Sequence, residues 1–247
     1  MKNLLKSKYI PVLVLALGGA GCALRWLLYA LAADEKNLIP LGHPLEIALW
    51  LAAAAALVPA VLSAGKRDAT VQYTVPASVA AAGSLAAAIG IGATVLLNEP
   101  VSAGILGLVW KILGLASFAA LAVAAKSQWE GKQPFFLLYA AVCVFFAVHM
   151  VSCYRTWSSN PQLQDYIFTL FSCIGLMLTA YQHGACAADC GSRRILFLAG
   201  LAAVFSCFVC LSGTENSLLY LTGGIWALTN LTLPAPAPAE ECDHGTA

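Results

Sequence analysis

Long runs of Leu, Ala, Val, Ile and Phe alternate along the chain with short joints that hold most of its Pro, Asn, Lys and Arg. Eight such runs fall at about 10–33, 44–64, 77–97, 103–125, 134–154, 164–184, 194–212 and 216–233. Each approaches the roughly 20 apolar residues that a helix needs to cross a bilayer. Polar and apolar positions do not alternate within them, as they would in the strands of a membrane barrel. The pattern therefore predicts an all-α polytopic membrane protein, a bundle of about eight transmembrane helices. The eighth run, about 18 residues after Glu215, is the shortest.

The joints carry breakers. His43-Pro44 opens the second run, Asn98-Glu99-Pro100 reads as a tight turn, and Ser158-Ser159-Asn160-Pro161 follows the fifth. A residue before proline disfavours the helical region, which sets boundaries there. From Leu233 the chain turns to Pro-Ala repeats and then Glu240, Glu241, Cys242, Asp243 and His244. This reads as a flexible acidic tail over 234–247 behind one helical domain, 1–233.

Charge sets the orientation. Lys2, Lys6, Lys8, Lys66, Arg67, Lys126, Lys132, Arg193 and Arg194 fall on one side of the predicted spans, against Lys36 and Arg155 on the other. Short cytoplasmic loops collect Lys and Arg, so both termini are expected in the cytoplasm. Tyr9, Trp129 and Tyr181 then lie near the inner interface, and Tyr29, Trp50, Tyr154, Trp157, Tyr166 and Tyr220 near the outer one. Trp110 and Trp226 fall mid-span and are expected to pack between helices. The first apolar run continues to Ala33, past Gly19-Ala20-Gly21-Cys22, which argues for a retained span over a cleaved signal.

Composition sharpens the class. The 247 residues are 60% hydrophobic and only 10% charged, with mean hydropathy +0.80. Soluble domains are roughly 25% charged, so a soluble enzyme, a disordered chain and a nucleic-acid binder are excluded. The expected surroundings are a lipid bilayer, and no cofactor motif is visible. The nine cysteines lie mostly inside apolar runs, where thiols act as small hydrophobes.

Three ionisable residues fall inside predicted spans: Arg25, Lys111 and His149. Such groups are costly in hydrocarbon and mark functional sites by default. Arg25 and Lys111 both come out roughly 12 Å below the outer boundary, and His149 roughly 7 Å. Glu46, Glu99 and Asp165 ring the same side. One expectation is an outward-facing cavity for a small anion, built on Arg25 and Lys111, with Glu46, His149 and Asp165 gating it. The plainer reading is a lock in which Arg25 or Lys111 pairs with Glu46. The segment from Arg155 to Tyr166 reads either as a lid over that cavity or as a capped helix start.

A weaker cluster is His183, Cys186 and Cys190, with Cys242 and His244 of the tail on the same side. Its spacing lacks the paired C-x2-C of a zinc finger, so ordinary thiols are the plainer reading. Cys207 and Cys210 form C-x2-C mid-span, where core packing is expected. His149 and Cys153 stand one turn apart, without the acid that a nucleophilic pair needs. Gly83 and Gly90, and Gly107 and Gly114, mark packing faces. Gly223-Gly224 is expected either to pack or to break the eighth helix as in substrate-binding transporter helices.

Trp157 to Tyr166, Gly191-Ser192-Arg193-Arg194 and Leu41-Gly42-His43-Pro44-Leu45 together resemble an uncharacterised group of bacterial multi-pass integral membrane proteins. The resemblance implies the bacterial inner membrane and carries no catalytic residue. Two functions are expected from the residues: a small transporter or solute-binding component for an anionic or zwitterionic molecule, or a non-catalytic subunit packed against a membrane partner or a second copy. No nucleophile, base and metal set points to an enzyme.

Overall fold

The computed structural model describes residues 9–32, 42–64, 75–99, 104–157, 166–212 and 216–232. Among them are eight helices and no strand: α1 (Ile10–Ala32), α2 (Pro44–Ala64), α3 (Ala77–Leu97), α4 (Ile105–Trp129), α5 (Phe136–Trp157), α6 (Ile167–Ala187), α7 (Arg193–Cys210) and α8 (Ser217–Thr229). Their bounds follow the apolar runs to within a few residues. The breakers act as expected at the described joints. Asn98 leaves the helix in an extended conformation, and Gly104 opens α4 with φ of 80°, a conformation that favours glycine.

Six helices, α1 to α5 and α7, are long and apolar enough to cross a membrane, which makes this a multi-pass membrane protein. The two remaining helices have physical reasons to differ. α6 is long enough but carries Gln182 and His183, which point inward and are buried. α8 has 13 residues, about 20 Å of helix against a hydrocarbon core of about 30 Å. Protein rather than lipid surrounds most of α8: Leu219, Tyr220, Thr222, Gly223, Gly224, Trp226 and Ala227 are all buried. Polar helix ends are tolerated at membrane depth under that condition.

The packing forms a ring. α3 packs on α4, α4 on α5, α5 on α6, α6 on α7 and α7 on α8, and α8 closes back onto α3. Contacts such as Ser84 to Gln128, Trp110 to His149 and Gly175 to Ala203 show successive members running antiparallel. The α1–α2 pair stands outside this ring and leans on α7. Small residues allow the close approaches. A β-carbon on Gly83 would collide with Thr229, and one on Gly90 with Thr222. α8 runs unbroken through Gly223-Gly224, so these glycines pack: Gly223 on Leu176 and Gly224 on Cys207.

Trp110 and Trp226 are wedged between helices as expected, each 1% exposed. Tyr9, Trp129 and Tyr181 are exposed near helix ends, as are Trp50 and Tyr154. Tyr220 corrects the interfacial expectation. It is buried in the ring, because its hydroxyl finds polar partners there instead of headgroups.

Candidate functional site

The polar chemistry of the bundle gathers at two levels, both centred on α8. At the first level the Trp110 indole Nε1 of α4 donates to Nδ1 of His149 on α5, at 3.0 Å. An indole N–H only donates, so Nδ1 is an acceptor and the ring proton sits on Nε2. His149 Nε2 faces the Tyr220 hydroxyl of α8 at 3.3 Å. That hydroxyl stands 3.6 Å from Cys173 Sγ on α6. Four helices are joined in one line of donors. Phe145 stacks on the His149 ring, with centroids 6.0 Å apart.

This geometry settles the role of Cys153. Its sulfur is 3.7 Å from His149 Nε2, the nitrogen that carries the proton. A histidine activates a thiol by offering a bare nitrogen, and Trp110 already occupies the bare one. The His149–Cys153 pair is therefore not arranged as nucleophile and base.

At the second level, toward the other end of α4, Gln128 is the hub. It accepts from Ser84 Oγ of α3 at 2.8 Å. Its Nε2 donates to Asn230 Oδ1 at 2.9 Å and to Tyr139 Oη of α5 at 3.3 Å. Asn230, just past α8, donates to the Ala80 and Trp226 carbonyls. Its own carbonyl accepts from His183 Nε2 of α6 at 2.9 Å. The His183 ring stacks on Tyr139. Buried polar groups are stable when their bonding capacity is met, and a network of this kind fixes one helix arrangement over others.

The residues singled out from the sequence are dispersed. Arg25 is 3% exposed and lies at the seam between α1 and α7. It reaches the Tyr29 hydroxyl and Cys210 Sγ, with its Cζ 5.7 Å from the Tyr29 ring centre. Cys210 continues to Ser172 and Thr169 of α6. Lys111 is exposed on α4 beside the exposed Leu108, Ile112 and Leu115, facing out of the ring. His149 faces into it. α1 and α4 are not neighbours in the packing, so Arg25 and Lys111 do not share a cavity.

Glu46 does not form the expected lock. Its carboxylate accepts from the Gly42 backbone N–H at 3.2 Å and caps the start of α2, as acidic groups do at helix N-termini. Asp165, Cys242, His244 and most of the 155–166 segment lie outside the described residues.

The thiol and imidazole cluster does not converge. His183 is committed to Asn230, Cys186 is buried, and Cys190 is exposed with its thiol on the Ala188 carbonyl. Among the described residues no group of three His, Cys, Asp or Glu side chains is placed to hold a metal ion. A narrow apolar gap lined by Ile91, Leu121, Phe146 and Trp226 has no room for a water molecule.

Sequence reasoning missed Gln128, Asn230, Ser84 and Tyr220. Gln128 lies in the last turn of α4 and Asn230 just past α8. Other helices cover both positions, which one sequence does not display.

Compared with known proteins, the chain matches no family model, and neither a curated protein nor a solved structure is similar to it.

Proposed function

We propose that the chain is a non-catalytic membrane subunit whose ring packs against a partner protein in the bilayer. The observation that carries this reading is Lys111. The polar side chains gathered around His149 and Gln128 bond to one another, whereas this cation stands on the outside of α4 among side chains that face lipid. A charge in that position has a role when a second membrane-embedded element meets it. The loop charges support a topology with both termini in the cytoplasm and α6 and α8 crossing with the other six, and the resemblance supports the bacterial inner membrane.

Extraction of the native protein in mild detergent tests this role. The expected result is co-purification with a second polypeptide at fixed stoichiometry. A stable, folded monomer in native membranes and in detergent overturns it.

A second reading is favoured by Arg25. A buried cation lies where the α1–α2 pair meets the ring, and parting of the two bodies would expose it to an anionic or zwitterionic solute. This is the transporter reading. A ligand-dependent thermal shift that needs Arg25 tests it.

A further inference from the structure

The subunit role proposed above rests on the outward face of α4, and that face carries chemical information about what meets it. Lys111 is the seventh residue of α4, about 9 Å along the helix from its start. It is fifteen residues from Lys126 at the opposite end, about 22 Å away. Leu108, Ile112 and Leu115 flank it on the same face and are exposed. Ala116 and Ala119, also exposed, follow on the next turns, where a second backbone can approach closely. Lys111 makes no hydrogen bond or ion pair among the described residues.

We infer that the α4 face around Lys111 receives a transmembrane helix of a different protein carrying an aspartate or glutamate at the depth of Lys111. This deepens the subunit reading and depends on it. The argument is charge complementarity. A carboxylate opposite Lys111 satisfies both groups where lipid can satisfy neither, and it fixes register along an otherwise apolar face. A second copy of this chain is poorly suited to supply it. Within the described helices the one carboxylate is Glu46, two residues into α2 and bonded to Gly42, about 3 Å from the helix start against about 9 Å for Lys111.

Two measurements test this. In the first, the purified full chain is labelled in liposomes and titrated by energy transfer with polyleucine transmembrane peptides. These carry a single Asp, Asn or Leu about 9 Å from one end. The Asp peptide is expected to bind roughly tenfold more tightly than the Leu peptide. The preference should vanish in Lys111→Leu and persist in Lys111→Arg. Lys111 is exposed, so both variants should fold, which their thermal unfolding checks. Equal binding of the Asp and Leu peptides overturns the inference and makes Lys111 a side chain that snorkels to the interface.

The second uses a photoreactive residue in place of Ile112 in native membranes. A crosslink to a different protein with a carboxylate in the adjoining span supports the inference. A crosslink to a protein whose spans carry none overturns the carboxylate pairing and leaves the subunit reading standing. A crosslink to a second copy overturns the choice of a different protein. Crosslinks to lipid alone overturn the subunit reading itself.

Discussion

The side chain of Thr222 on α8 occupies the place where a β-carbon on Gly90 of α3 would stand. Seven residues away on both helices, Thr229 does the same against Gly83. Both threonine hydroxyls turn back to their own helix, Thr222 to the Leu218 carbonyl and Thr229 to the Ile225 carbonyl. Each thus presents a compact face to a glycine groove. Gly90→Ala is expected to destabilise the protein by about 1–3 kcal/mol, the usual cost of overpacking. Adding Thr222→Ala should recover part of the loss, since the hydroxyl and methyl go but the β-carbon stays. Thermal unfolding in detergent reads the cycle, and additive losses would argue against this contact.

Asn230 joins four helices, α3, α4, α6 and α8, through one side chain and one carbonyl. Asn230→Ala leaves one N–H of the Gln128 amide without its acceptor, at a cost of about 1–3 kcal/mol for a buried unsatisfied group. Gln128→Leu should cost a similar amount. The double variant should lose less than the sum, because each change removes a partner of the other. Strict additivity would mean the two residues do not act as one network.

Thiol reactivity should separate the cysteines. Cys153, Cys173, Cys207 and Cys210 are buried, and Cys190 is exposed between α6 and α7. In a Cys242→Ser background, a charged maleimide is expected to modify Cys190 in inside-out vesicles and to spare it in right-side-out vesicles. The four buried thiols, and Cys186, which is also buried, should react only after unfolding. Labelling of Cys190 from the outside would reverse the proposed orientation.

Lys132 and Glu130 form an ion pair at 2.8 Å on the exposed turn after α4. Hydrogen bonding and charge hold the Glu130 carboxyl below its ordinary pKa and the Lys132 ammonium above its own. Any stability from Glu130 is present above its unfolded pKa and lost as pH falls through the folded value. Any from Lys132 is present below its unfolded pKa and lost as pH rises through the folded value. Both groups are bathed in solvent, which screens such pairs. Lys132→Ala should therefore leave the melting temperature at pH 7 unchanged, at low and at high salt.

Arg25 offers the test that divides the two functional readings. A thermal-shift panel of carboxylates, phosphates and amino acids should give no Arg25-dependent shift for a subunit. One anion class should stabilise a transporter, with the shift kept in Arg25→Lys and lost in Arg25→Gln. Both variants need a melting transition in the absence of ligand before the comparison is made.

The helix bounds were legible because every feature that sets them is local: an apolar run, a proline, a glycine with positive φ. The separation of Arg25 from Lys111 was not legible. Both lie at similar predicted depth, and depth is all that a one-dimensional reading supplies. Which way each residue faces around its helix depends on the neighbours, and α1 meets α7 while α4 meets α3 and α5. Tyr220 was misplaced for the same reason: an aromatic near a span end sits in the interface unless other helices enclose it. Gln128 and Asn230 come together from positions 102 residues apart, a proximity that only the closed ring creates.

The helix that closes the ring is the last of the eight to leave the ribosome. Until it arrives, Gln128, His149 and Ser84 sit in earlier helices without the partners or cover that α8 completes. A nascent chain holding seven helices is therefore an open arc with polar groups on its inner side, and its final shape is decided after the rest has entered the bilayer. A truncation just before Ser217 would not trim an edge but remove the closing piece, and the cell's insertion and quality-control machinery would meet the arc in place of the ring.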